Sequence, residues 1–288
     1  MRSKKIGLVI GSGGLKCAAA IGLWKVLVRE GISIDLVVGC SGGSVYAGAL
    51  AQGCSPAELE HATEELWNER VFRRKRKRSL FQVLMPRTFG FDHQFGLIDD
   101  AALNHALRSQ YHDATFESLS LPLHIVATDL MSSEKVTLTT GSVWEAVRAS
   151  VAIPFLIPPW EIDGRVLFDG GASDPLPIDV AIREGAEIII AMGFESPLLP
   201  SIGSAIGLAL QTGSVTVNHL LKSTYAFYNL AHHAEVIPIM PSFDRRVGVA
   251  DVHMTPWIIE QGEIAAEREL PYLKKILAQS EQSVGRIA

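Results

Sequence analysis

Ser41 is the side chain whose neighbours best equip it to act as a nucleophile. It is the central residue of Gly39-Cys40-Ser41-Gly42-Gly43, which follows the apolar run Asp35–Val38 and leads into the small residues Val45-Tyr46-Ala47-Gly48-Ala49. A strand that turns sharply into a helix strains the serine backbone, and bulkier residues at Gly39 or Gly43 would collide there. The hydroxyl then stands at a helix N-terminus, whose dipole favours developing negative charge. A plain βα turn is the bland alternative; the strand before and the helix after favour the nucleophile. Cys40 is expected to pack as a small hydrophobe, because the turn exposes its third residue and not its second.

Two further stretches could serve such a serine. Gly11-Ser12-Gly13-Gly14-Leu15-Lys16 follows the apolar run ending at Ile10, and a glycine loop between strand and helix offers backbone N–H groups to an anion. Lys16 stands where a dinucleotide fingerprint needs its third glycine, and no Gly-Lys-Ser/Thr closes a P-loop. The functional expectation is an oxyanion hole; the alternative is a tight turn that lets the helix pack closely. Asp169, in Phe168-Asp169-Gly170-Gly171, is a carboxylate at a strand end. It could take a serine proton if burial raised its proton affinity, although Asp-Gly is also a common turn.

In this order the three pieces resemble the patatin-like phospholipases, specifically the bacterial single-domain type. Ser12-Gly13-Gly14-Leu15-Lys16 matches the family's oxyanion loop, Gly39–Gly43 its nucleophile turn, and Asp169-Gly170-Gly171 its Asp-Gly-Gly/Ala motif. Arg148-Ala149-Ser150-Val151-Ala152-Ile153-Pro154 and Ala127-Thr128-Asp129 resemble two further segments of the family. The resemblance spans roughly residues 5 to 195. It implies acyl-ester hydrolysis of a lipid or lysophospholipid by a Ser41–Asp169 dyad. Gly13 and Gly14 would hold the oxyanion, Ser12 and Lys16 would support the loop, and no metal or organic cofactor would be needed. Ser12 in place of glycine and Lys16 in place of the commoner arginine depart from the pattern; lysine keeps the charge and loses the fork.

The elements that must position these residues alternate between β-rich and helical patterns. Strands are predicted at Lys5–Ile10, Asp35–Val38, Leu123–Thr128, Lys135–Leu138, Arg165–Phe168, Glu187–Met192 and Ala234–Ile239. Helices are predicted at Leu15–Arg29, Gly42–Ala51, Pro56–Trp67, Asp99–Arg108, Val143–Ser150, Pro175–Glu184, Ser204–Ala231 and Pro256–Ala278. Pro56 after Ser55 and Pro175 after Asp174 look like prolines in capped first turns. The alternation predicts an α/β fold, a three-layer α/β/α single domain over residues 1–288 with a mostly parallel sheet. Residues 70–96 show no clean period and are expected to form a cap or a loop.

With 48% hydrophobic and 20% charged residues, the chain can bury a sizeable core. Cys17, Cys40 and Cys54 are too few and too irregular for a disulfide framework or a zinc site, which suits a reducing cytoplasm. The apolar run from Ile6 breaks at Gly11 too early for a signal peptide. Ser196–Leu221 carries polar residues throughout and is expected to be a buried helix, not a membrane span. The net charge is −5, yet seven of the nine residues from Arg70 to Arg78 are basic, leaving 19 positive against 31 negative elsewhere. Nucleic acid is an unsuitable partner for so acidic a remainder. The run is either a solvated face or a contact with anionic membrane, helped by Leu80, Phe81, Val83, Leu84 and Met85. Apolar residues of Arg70–Leu97 and the helix from Ser204 are expected to line an acyl groove. Two rival functions stand beside the dyad. One is a Ser–Asp–His hydrolase drawing on His219, His232, His233 or His253; the other is a silent scaffold that binds membrane or acts as an adaptor.

Overall fold

A computed structural model describes residues 4–67, 71, 74–196, 198–231, 234–248 and 250–285. In chain order its elements are β1 (Ile6–Ile10), α1 (Ala19–Arg29), β2 (Leu36–Cys40), α2 (Gly42–Ala51), α3 (Pro56–Leu66), α4 (Lys77–Leu84), α5 (Pro86–Phe89) and α6 (Ala101–Tyr111). There follow β3 (Leu123–Asp129), β4 (Lys135–Leu138), α7 (Val143–Ser150), β5 (Trp160–Ile162), β6 (Arg165–Asp169) and α8 (Ile178–Arg183). The described chain closes with β7 (Ile188–Met192), α9 (Ala205–Ala231), β8 (Glu235–Ile239) and α10 (Thr255–Gly285).

Eight strands form one sheet in the order β5-β6-β3-β2-β1-β7-β8, with β4 also paired to β3. The strands β3, β2, β1, β7 and β8 are mutually parallel; β4, β5 and β6 pair antiparallel. Central parallel strands are covered on both faces, so they read as unbroken apolar runs, and every residue of β1, β2 and β7 is buried. Leu8 and Ile10 face a core shared with α1, α2, α3, α6, α7 and α10. Val9, Leu36 and Val38 face the second core, under α8 and α9. The chain is therefore an α/β protein of three layers with a mostly parallel central sheet.

Several local expectations change. Pro56 does open α3, where Ser55 and Glu58 form a capping box. Pro175 does not open a helix: α8 starts at Ile178, and Asp174 instead accepts from the Leu176 N–H and from Lys135 Nζ. The first turn of the predicted Leu15–Arg29 helix is a 3-10 turn over Gly14–Ala18. Strand β5 was not predicted; it joins β6 through Asp163-Gly164, both at positive φ (51° and 73°), as a two-residue hairpin turn requires. Residues 77–89, read as aperiodic, hold α4 and α5. The Ser196–Leu221 stretch is not a buried helix, because α9 lies half-exposed on the surface with Leu208 and Val215 open to solvent. Among the described residues no helix is long and apolar enough to cross a membrane.

Candidate active site

Sheet register brings Ser41 and Asp169 together although 128 residues separate them. On β3, Val126 faces Cys40 at the end of β2, and the next residue, Ala127, faces Asp169 at the end of β6. The other edge of β3 is occupied by β4, so β2 and β6 abut end to end along one edge. Their C-terminal residues must meet there. Ser41, one residue beyond β2, has φ of 51° and ψ of −129°, the strained geometry expected of a strand-to-helix elbow. A Cβ on Gly43 would strike the carbonyls of Ile10 and Gly11, and one on Gly39 would lie 2.6 Å from Ala47. The elbow thus packs on the end of β1 with no room for side chains.

Ser41 Oγ donates to Asp169 Oδ2 at 2.6 Å, and Gly171 N–H donates to Asp169 Oδ1 at 2.8 Å. Burial of Asp169 pushes its carboxyl up to about 6, and these two hydrogen bonds pull it partly back. Ser150 completes the support: its Oγ accepts from the Ser41 N–H at 2.8 Å and donates to the Val126 carbonyl at 2.7 Å. No role for Ser150 was legible beyond its place in a familiar segment, since a serine at the end of a helix has no local mark of such a contact.

The glycine loop lies against this pair. Gly14, at φ of 57°, packs so closely on Gly42 that a Cβ there would sit 2.5 Å from the Gly14 carbonyl oxygen. The Ser12 N–H donates to the Pro175 carbonyl at 2.8 Å, while the Gly13 and Gly14 N–H groups make no hydrogen bond among the described residues. Lys16 faces away: its Nζ donates to the Glu195 carbonyl at 3.0 Å and lies 5.2 Å from the centre of the Phe243 ring. Burial holds this ammonium below the usual lysine range. Cys40 is fully buried, with Sγ donating to the Asp174 carbonyl at 3.3 Å, and desolvation pushes its thiol well up. It packs as a small buried side chain.

Neither His219 nor His253 hydrogen-bonds Ser41 or Asp169, whose two carboxylate oxygens are taken by Ser41 and Gly171. His232 and His233 lie outside the described residues, as do Arg70 and Arg73 of the basic run.

Beside Ser41 opens a narrow pocket lined by Gly14, Ser41 and Gly42 and by apolar side chains. The walls come from Val45 of α2, Leu66 and Trp67 at the end of α3, Leu103 and Leu107 of α6, and Val151, Ile153 and Ile157 after α7. No described residue of Arg70–Leu97 or of the helix at Ser204 lines it. Arg148 ties two of the walls together. This fully buried guanidinium bonds Asn104 and Asp100 at 2.7 Å and the Pro158 carbonyl at 3.0 Å. It joins the start of α6 to the segment carrying Ile153 and Ile157, and an arginine in an otherwise apolar helical pattern was the signal that could have revealed it.

Fold and site together define an α/β protein with a serine–aspartate pair at the carboxyl ends of its strands. Residues 8–182 match the family described as patatin-like phospholipase, and the chain belongs to that family. An uncharacterized NTE family protein of Mycobacterium tuberculosis is 30% identical over 229 residues, covering 80% of this chain and 59% of its own length. Patatin-like phospholipase domain-containing protein 6 of Homo sapiens is 32% identical over 189 residues, covering 65% of this chain and 13% of its own. The chain therefore spans 59% and 13% of the lengths of these two curated relatives. Among solved structures, VipD from Legionella pneumophila shares the fold, with a TM-score of 0.53 at 14% identity over 94% of this chain and 67% of that one.

Proposed function

We propose that the chain is a serine acyl-ester hydrolase acting on lipid or lysophospholipid esters. The observation that carries this is the 2.6 Å contact between Ser41 and a buried carboxylate poised near 6, beside an apolar pocket that Ser41 itself lines. Asp169 takes the proton from Ser41 as Oγ adds to the ester carbonyl carbon. The N–H groups of Gly13 and Gly14, unpartnered among the described residues, receive the oxyanion. The proton held by Asp169 passes to the departing alcohol oxygen, and the acyl group remains on Ser41. Water, deprotonated by the same carboxylate, then adds to the acyl carbon; collapse returns the proton to Ser41 and releases the fatty acid. The pocket suits an acyl chain because its lining offers apolar side chains and no charge. Ser12 and Lys16 act through the loop, one on the Pro175 carbonyl and the other on the Glu195 carbonyl. No step calls for a metal or an organic cofactor.

Ser41→Ala should stay folded and lose turnover of a chromogenic ester by about 10³-fold or more. A serine-directed phosphonate should label Ser41 in the native protein. Label on another residue, or near-normal turnover by the alanine variant, would overturn the mechanism. No turnover by the parent protein on any ester would leave a silent scaffold.

A further inference from the structure

Helix α4 sets exposed apolar side chains beside exposed basic ones. Its polar residues Ser79 and Gln82 are buried, donating to the Gly96 carbonyl at 2.5 Å and the Gly90 carbonyl at 2.8 Å. Its described apolar side chains face water: Phe81, Val83 and the following Met85 are 44%, 48% and 45% exposed. A helix that serves only packing buries the apolar stripe and exposes the polar one. Arg78, Phe81 and Met85 fall at i, i+3 and i+7, hence on one face. Phe89 of α5 stacks on Phe81 at 5.2 Å, Arg78 reaches the Phe89 carbonyl, and Phe91 beyond is again open to solvent.

Charge singles out the same surface. From Arg70 to Phe91 the sequence has eight basic residues and no acidic one, in a chain of net charge −5. Of these, Arg74, Lys75, Arg76, Arg78 and Arg87 are described and all are exposed. The surface also adjoins the pocket. Leu97 and Ile98 donate their N–H groups to the carbonyls of Phe155 and Leu156 at 3.0 and 2.8 Å, in the segment whose Ile153 and Ile157 line the pocket. Phe155, exposed and at φ of 66°, stands between those two residues.

We propose that the α4–α5 segment docks the protein on anionic lipid bilayers and sets the pocket beside the surface that holds its substrate. Phe81, Met85 and Phe91 would enter beneath the headgroups while the arginines meet lipid phosphates. That a bilayer is the occupant rests on the lipid-ester reading above; the match of basic rim and exposed apolar side chains to an anionic membrane is independent of it.

The test uses the full chain carrying Ser41→Ala, so that vesicles are not consumed. This parent should sediment with phosphatidylglycerol vesicles at low salt, leave them at high salt, and ignore phosphatidylcholine vesicles. Adding Lys75→Gln, Arg78→Gln and Arg87→Gln, all exposed, should weaken partitioning about a hundredfold. Adding Phe81→Ser and Met85→Ser instead should keep low-salt association yet release at a salt concentration the parent withstands. Equal partitioning of parent and charge variant, or no partitioning by the parent, overturns the proposal; so does capture of the parent by a single-stranded oligonucleotide but not by vesicles. Short-chain ester turnover, measured with Ser41 present, separates the two readings. Docking variants should hydrolyse it normally. Vesicle binding without any ester turnover would sink the hydrolase and leave the docking surface standing.

Discussion

Asp169 is asked to be both buried and charged, and that conflict has two measurable consequences. Acting as the base, it must be ionised, so kcat/KM for a soluble ester should climb as pH rises through about 6 and then level. A rate already flat down to about pH 4, where an ordinary aspartate titrates, would remove Asp169 from the role. Stability should move the other way. The carboxyl titrates at about 6 folded against 3.8 as an ordinary aspartate, so the folded state holds the proton more tightly between those values. The sign follows: full stability is present below 3.8 and is lost as pH rises through about 6, at an overall cost of about 3 kcal/mol. Asp169→Asn keeps a carbonyl for the Gly171 N–H and an NH₂ for Ser41 but carries no charge. It should abolish turnover, and its stability relative to the parent should rise between pH 4 and pH 8. Denaturant melts at both values check this; an unchanged difference would mean the burial penalty is absent. Ser41 and Asp169 were both legible, because each sits in a local turn with a chemical motive. Ser150 and Arg148 were not, since their partners Ser41, Asp100 and Asn104 lie far along the chain.

At the scale of elements, β3 is the ruler on which the site is laid out. Consecutive β3 residues face the ends of β2 and β6, so the distance between Ser41 and Asp169 is set by strand register and not by side-chain reach. The pocket is built differently, from helix ends and the segment after α7, and Arg148 ties two of its walls together. Ile153, half-buried on the wall, can be enlarged without overfilling the core. Ile153→Trp should therefore raise KM for long-chain esters at least tenfold while leaving short-chain kcat/KM within about twofold, because only a long acyl chain needs the obstructed space. Equal losses on both would place the acyl chain elsewhere. The described residues of 70–97 and the α9 helix do not line the pocket, for a physical reason: Phe81, Val83 and Met85 point to solvent, and α9 packs on the opposite face of the sheet.

Across the whole molecule, the layer behind the glycine loop is closed by the chain's last described helix. Cβ atoms on Gly22 of α1 or Gly262 of α10 would strike the carbonyls of Ile259 and Ala19, so the two helices touch backbone to backbone. Ala19 lies just past the turn that begins at Gly14, and α10 thus braces the loop from outside the family-matched segment 8–182. Gly262→Ala should destabilise the fold by about 2 kcal/mol or more, since the helices must separate to admit one methyl group. A shift in denaturant midpoint at constant slope reads it, and an unchanged midpoint would mean the two helices can part without cost. By itself the sequence determined the α/β alternation, most strand and helix positions, the elbow at Ser41, the glycine loop and the carboxylate at Asp169. Each is written in neighbouring residues, where turn sterics and buried-strand composition act over a few positions. Only the tertiary structure decided which carboxylate meets Ser41, which helices wall the pocket, that Lys16 reaches away to Glu195, and that Phe81 and Met85 lie open to water. Those outcomes depend on strand order, register and the competition between faces for burial, which are settled by the packing of the whole chain and leave no mark in any short stretch of it.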